Sequence, residues 1–137
     1  MDDLIIRNAM VVACDPAGTV LMDGGVAVSN GRITHVAASR EFDARAGSAR
    51  HVVDGSGHIL MPGIVNTHCH AGDSLFRGLV ENLPLEPWLQ TVWKAEGAIL
   101  TRDTVRLGAT LGLAELLLAG VTTTMDMFWH PGETVAA

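Results

Sequence analysis

The amino-acid pattern changes at Met61-Pro62-Gly63, and this change constrains the fold more than any other feature of the chain. Adjacent Pro and Gly mark a boundary between structural elements. Short β-branched runs separated by turn residues precede the boundary, whereas longer helical patterns follow it. We therefore expect two parts, residues 1–60 as part of a small β domain and residues 61–137 as a unit of a different kind.

Short strands are predicted throughout residues 1–60. The run from Leu4 to Ala13 is rich in Ile and Val, and Asp15 to Gly18 has the composition of a turn. Asn30-Gly31 separates two further β-branched runs and predicts a hairpin, since both residues tolerate positive φ. Asp23-Gly24-Gly25 predicts another turn. Together these signals favour a mostly antiparallel β unit.

Residues 61–137 follow the order strand, loop, helices, strand. Ile64 to Thr67 is a short apolar run, and Leu85 to Ile99 has apolar residues at helical spacing. Thr101 is the expected N-cap of a second helix, and Val121 to Met127 is β-branched. This order predicts a βαβ unit, which belongs to a parallel sheet or a barrel.

Composition excludes several classes of protein. The chain has 137 residues, 48% hydrophobic and 18% charged, with 9 basic and 15 acidic residues and hence a net charge of −6. This is ordinary globular usage, and the acidic balance argues against nucleic acid as the main partner. Leu107 to Val121 is interrupted by Glu115 and is shorter than the about 20 residues that cross a bilayer. We expect a cytoplasmic protein without membrane or nucleic-acid contacts.

Two histidines at the end of the first strand of the second part carry the clearest chemical signal. His68 and His70 are two residues apart, so on a strand they point to the same side while Cys69 points away. Imidazole suits zinc, iron or nickel. Such a pair also occurs by chance, but in this position it predicts two ligands of one metal ion.

The segment Met61 to His70 (MPGIVNTHCH) closely resembles the first metal motif of the amidohydrolase superfamily. Leu75 to Gly78, Trp88-Leu89 and Gly120 to Asp126 resemble the branch of that superfamily that deaminates or dechlorinates nitrogen heterocycles. The resemblance extends over roughly residues 3 to 135. It implies an α/β fold, the start of a TIM-like (β/α)8 metallo-dependent hydrolase barrel preceded by part of a small β-sandwich domain.

The resemblance also implies an activity. Metal-activated water would hydrolytically deaminate or dechlorinate a purine, pyrimidine or triazine ring, which makes the enzyme a hydrolase of non-peptide carbon–nitrogen bonds. One divalent metal ion is implied, zinc or alternatively iron, together with a small heterocyclic substrate and a homo-oligomer at full length. A complete barrel takes about 250 residues, so the chain is expected to be incomplete and inactive alone, with its catalytic residues downstream of Ala137.

Site residues follow from the same resemblance, except His130, which is a candidate because it follows the second strand at its C-terminal end. His68 and His70 are the expected metal ligands, and Trp88, Glu96 and His130 are the expected substrate-binding residues. Other candidates receive structural interpretations. Trp93 is expected in the helix core, Arg77 either orients a loop or is a solvated charge, and Asp126 is structural.

Two alternatives stay open. The first is a cyclic-amide hydrolase of the same superfamily, similar to dihydropyrimidinases and hydantoinases, with two metals bridged by a carboxylated lysine. Lys94, the only lysine, lies on a predicted helix and does not favour that site. The second is a non-catalytic fragment that uses His68 and His70 to bind metal.

Overall fold

The computed structural model describes all residues from Met1 to Ala137 and divides into two compact units, Met1–Pro62 and Gly63–Ala137. The division falls beside the change of pattern at Met61-Pro62-Gly63. No helix combines the length and the apolar character needed to cross a membrane.

The first unit is built on one β-sheet. Its strands are β1 (Leu4–Val12), β2 (Val20–Ser29), β3 (Arg32–Ala38), β4 (Val52–Asp54) and β5 (Ile59–Leu60). Strands β1, β2 and β3 form an antiparallel series, and β4 and β5 both pair in parallel with β1. The sheet is therefore mixed. Its antiparallel part, β1 to β3, agrees with the mostly antiparallel unit predicted from the sequence.

The hairpin between β2 and β3 confirms the prediction made from Asn30-Gly31, whose φ values are 52° and 70°. The turn predicted at Asp23-Gly24-Gly25 is wrong, because these residues lie inside β2. The two glycines permit close packing instead of a turn. A Cβ on Gly25 would lie 2.8 Å from the ring of Phe42, and one on Gly24 would lie 2.8 Å from Val11.

The core of the first unit consists of Ile5, Ala27 and Phe42, all fully buried. Phe42 comes from a 3₁₀ segment, Ser39–Phe42, which leads into the short helix α1 (Asp43–Ala46). Burial of apolar surface stabilises this contact by about 25 cal/mol per Å². The small polar stretch after β3 thus supplies the largest side chain of the core.

The second unit has the predicted βαβ order. Its elements are β6 (Ile64–Cys69), a 3₁₀ segment (Ala71–Phe76), α2 (Leu85–Ile99), α3 (Arg102–Leu118), β7 (Val121–Asp126) and α4 (Pro131–Val135). Strands β6 and β7 pair in parallel, which confirms the βαβ prediction. Helix α2 has the predicted bounds, and Thr101 accepts a hydrogen bond from the Thr104 amide as the N-cap of α3.

Glycines on α3 allow the 3₁₀ segment to lie directly against that helix. A Cβ on Gly108 would clash with the backbone carbonyl oxygen of Gly72, and one on Gly112 would clash with the Ser74 hydroxyl. Arg77, which follows the segment, donates to Glu115 on α3 at 2.9 Å. This ion pair agrees with the interpretation in which Arg77 orients the loop, while 63% of the Arg77 side chain is exposed. The backbone that leaves β6 is held in place by α3.

Candidate metal centre and substrate pocket

His68 and His70 lie side by side at the end of β6. Their ring centroids are 4.9 Å apart and the ring planes meet at 78°. Strand β6 ends at Cys69, so His70 is the first residue beyond it. Two imidazoles at this separation can bind one metal ion, which agrees with the i, i+2 placement expected from the sequence.

Hydrogen bonds from the end of β7 hold His70. Its Nδ1 lies 2.6 Å from the Met127 carbonyl oxygen, and the Met127 amide donates to the Cys69 carbonyl at 2.9 Å. Donation from Nδ1 to a carbonyl leaves Nε2 free as a metal ligand, a common arrangement around metal-binding histidines. The chemistry of these two imidazoles therefore fits a metal ion, for which they would be two protein ligands. The chain contains no group of three or more His, Cys, Asp or Glu side chains that could hold a metal ion.

An aromatic pocket of about 340 Å³ opens beside His70. Its lining includes the three tryptophans of the chain, Trp88, Trp93 and Trp129, together with Phe128. Trp93 was expected in the helix core, and that expectation is wrong because 58% of its surface is exposed. Helix α2 turns both of its tryptophans towards the pocket. Flat indole faces of this kind suit a planar ring ligand.

Two carboxyl groups interrupt the aromatic lining of this pocket. Glu96 on α2 is only 8% exposed and accepts a hydrogen bond from Trp129 Nε1 at 3.1 Å. Asp73, from the 3₁₀ segment, lies beside it. Burial raises the pKa of the Asp73 carboxyl to about 6, and the charge of Glu96 adds to the rise. The pocket is thus apolar with an acidic wall, and no lysine or arginine lines it.

Family comparison identifies the second unit. A model of the amidohydrolase family matches residues 59–136, more than half of the chain. The chain belongs to the amidohydrolase family. Its relatives include the 5'-deoxyadenosine deaminase of Methanosarcina mazei, 37% identical over 100% of this chain and 31% of that protein. The 5-methylthioadenosine/S-adenosylhomocysteine deaminase of Symbiobacterium thermophilum is 42% identical over 99% of this chain and 30% of that protein.

A solved structure of a related protein has the same fold over this region. The adenosine deaminase from Xanthomonas campestris, solved with bound zinc, superposes with a TM-score of 0.87 at 36% identity. The match covers 98% of this chain and 31% of that one. The amidohydrolase chain therefore spans just under a third of the length of the relatives it matches, and the predicted α/β class is confirmed.

The amidohydrolase chain brings most of the predicted site residues together. His70, Trp88 and Glu96 line the aromatic pocket, while His68 lies against His70. His130 lines an adjoining pocket of about 530 Å³, which it shares with Glu96. Sequence reasoning missed Asp73, Phe128 and Trp129. Their pattern along the chain gives no sign that they line one pocket with Glu96, because the pocket joins elements that are distant in sequence.

Replacing Asp73 by Asn is expected to stabilise the metal-free amidohydrolase at pH 7.5. An Asp pKa raised from 3.8 to about 6 means that the folded state favours the protonated carboxyl. The stabilisation is complete below pH 3.8 and is lost as the pH rises through about 6. D73N removes the repulsive charge, and after allowance for solvent screening we expect a gain of about 1 kcal/mol.

The gain is measured by urea denaturation in EDTA at pH 7.5 and pH 4, with the exposed Glu81→Gln as a matched control. D73N should exceed wild type at pH 7.5 only, whereas E81Q should follow wild type at both values. An equal effect of D73N at both pH values would contradict the raised pKa.

Proposed function

We propose that this chain carries part of the active site of a zinc-dependent amidohydrolase that deaminates adenosine-type compounds. The observation that carries the proposal is the adjacency of the His68–His70 pair to a pocket that combines tryptophans with the buried carboxylate of Glu96. The relatives named above are deaminases of adenosine derivatives, and one related structure contains zinc. Dechlorination of a triazine-type ring is the neighbouring possibility within the same chemistry.

The reaction replaces an amino group on a ring carbon by oxygen. A bond forms between the water oxygen and the ring carbon, the carbon–nitrogen bond breaks, and the nitrogen leaves as ammonia with the protons supplied by water. When bound, zinc supplies activation of water at neutral pH. We assign His68 and His70 as two of its ligands, with the remaining ligands and the general acid expected in the sequence beyond Ala137.

The pocket residues bind and orient the ring in this proposal. Trp88 offers an indole face on which a purine can stack. Glu96 accepts hydrogen bonds from hydroxyl or amino groups of the substrate, since its buried carboxylate is already fixed by Trp129. His130 contacts the part of the substrate that reaches the adjoining pocket. The acidic wall disfavours phosphorylated substrates, so nucleosides are preferred to nucleotides.

The proposal extends to the domain organisation, the cellular location and the oligomeric state of the protein. We infer that residues 1–60 form part of a small β-sandwich domain and that residues 61–137 form the opening βαβ portion of the barrel. The complete protein is proposed to be cytoplasmic and homo-oligomeric. Lys94 is exposed on α2, and nothing around it favours the two-metal cyclic-amide hydrolase.

The decisive experiment is an ammonia-release assay on the complete, zinc-loaded protein. Adenosine, 5'-deoxyadenosine, 5'-methylthioadenosine, S-adenosylhomocysteine and a chlorotriazine form the panel, with adenosine 5'-monophosphate as the anionic counterpart. Ammonia from the nucleosides but not from the nucleotide is the expected result. Turnover of dihydropyrimidines with none of the panel compounds would overturn the proposal.

Substitution of Glu96 by Gln should lower kcat/KM for the best nucleoside substrate. Loss of a charged hydrogen-bond acceptor is expected to cost about 10- to 100-fold. The exposed Glu86→Gln on the same helix is the matched control and should leave kcat/KM unchanged. Equal kinetics for E96Q and wild type would remove Glu96 from the substrate site.

A further inference from the structure

Three buried oxygen atoms without a hydrogen-bond partner in residues 1–137 belong to residues that line one cavity between β7, α3 and α4. They are Thr124 Oγ1, Asp126 Oδ2 and Thr134 Oγ1, and none of them accepts or donates a hydrogen bond within the chain. The cavity has a volume of about 290 Å³, and Leu113 and Val135 complete much of its lining. Thr134 is itself only 8% exposed. Buried polar groups in proteins are nearly always hydrogen-bonded, so we expect these three oxygens to have a partner that residues 1–137 do not supply.

One water molecule matches the chemistry of these three atoms. Each threonine hydroxyl can donate to a lone pair of the water, and the water can donate a proton to Asp126 Oδ2. A water placed among the three oxygens would make three hydrogen bonds, the usual number for a buried water. A second hydrogen of the water remains for the open side of the cavity.

The other oxygen of Asp126 is tied to the candidate metal centre. Asp126 Oδ1 accepts the Ala71 amide hydrogen at 2.7 Å, and Ala71 directly follows His70. The neighbouring Met127 carbonyl holds His70 Nδ1. The Asp126-Met127 pair therefore fixes the backbone after His70 as well as its imidazole ring.

We propose that Asp126 is a positioning residue for His70, held in place by one ordered water molecule that it shares with Thr124 and Thr134. A carboxylate fixed through both oxygens cannot rotate about its terminal bond, whereas one fixed through Oδ1 alone can. The water thereby links α4 to the backbone beside His70. The inference rests on the proposed function in taking His70 as a zinc ligand.

The test compares zinc affinity, by chelator competition on the complete protein, among variants of this cluster. Asp126→Ala should weaken zinc binding by about 10- to 100-fold, the usual effect of removing a partner behind a metal ligand. Asp126→Asn should stay close to wild type, because its amide oxygen can still accept the Ala71 hydrogen. Thr134→Val and Thr124→Val should fall between them, and the exposed Thr123→Val on the same strand should equal wild type.

Two readouts separate positioning from a general loss of stability. Hydrogen exchange of the Ala71 amide in the metal-free protein should accelerate in D126A and T134V but not in T123V. A crystal structure should contain a water within hydrogen-bond distance of all three oxygens. Wild-type zinc affinity in both D126A and T134V, in a protein whose H70A variant loses zinc, would overturn the inference, and so would an unchanged Ala71 exchange rate. If D126A does not fold, T134V and T124V decide it.

Failure of the proposed function has a different signature. In that case the His70→Ala variant would bind zinc as tightly as the wild-type protein does. The exchange and crystallographic readouts would still decide the role of Asp126.

Discussion

Replacing His70 by alanine should abolish the proposed deamination and most zinc binding. Of the two expected ligands, His70 is the one whose imidazole has a hydrogen-bond partner, the Met127 carbonyl at Nδ1. Loss of one ligand removes several kcal/mol of transition-state stabilisation, so kcat/KM is expected to fall by at least about 10³-fold. His68→Ala should have an effect of similar size.

Zinc content by mass spectrometry and ammonia release from the preferred nucleoside measure this effect on the complete protein. His58→Ala is the matched control, since His58 is exposed in the first unit and its imidazole hydrogen-bonds only to the Ser56 carbonyl, at 3.0 Å. It should keep both zinc and activity. Full zinc occupancy together with full turnover in H70A would show that other residues carry the metal.

Local signals predicted the elements of this fold well. Asn30-Gly31 specifies its hairpin through the positive φ of both residues, and Thr101 specifies the start of α3 through its side-chain cap. The bounds of α2 follow from helical spacing alone. Each of these features depends on residues that are close in sequence, so the pattern contains the needed information.

Long-range contacts were not predictable in the same way. Gly24 and Gly25 have turn composition, but they lie within a strand because Val11 and Phe42 pack against them. Trp93 has the spacing of a core residue, yet it lines the pocket. Both errors arise because a single-residue pattern cannot indicate what lies opposite in the fold.

The candidate site also combines features that are local in sequence with contacts that are not. The His68–His70 pair could be found from i, i+2 spacing on a strand, since the spacing itself brings the rings together. The contact between Glu96 and Trp129 joins residues 33 apart, and that between Asp126 and Ala71 joins residues 55 apart. Asp126 was interpreted as structural, whereas its hydrogen bond lies directly beside the candidate metal ligand. Such partners emerge only once β6 and β7 are paired.

Replacing Gly108 by alanine should destabilise the protein although alanine is the better helix former. The added Cβ would clash with the Gly72 carbonyl oxygen, which is backbone and cannot rotate away. The 3₁₀ segment must then move off α3, and overpacking of this kind is expected to cost about 2–3 kcal/mol. Because this segment directly follows His70, zinc affinity should fall in the same variant.

Gly97→Ala on α2 is the matched control, since its Cβ would meet no atom within 4 Å. There the ordinary helix preference applies, and a gain of about 0.5–1 kcal/mol is expected. The same substitution in two neighbouring helices should therefore change the free energy of unfolding in opposite directions. Urea denaturation measures both values, and a G108A protein as stable as G97A would show that α3 and the 3₁₀ segment are not in close contact.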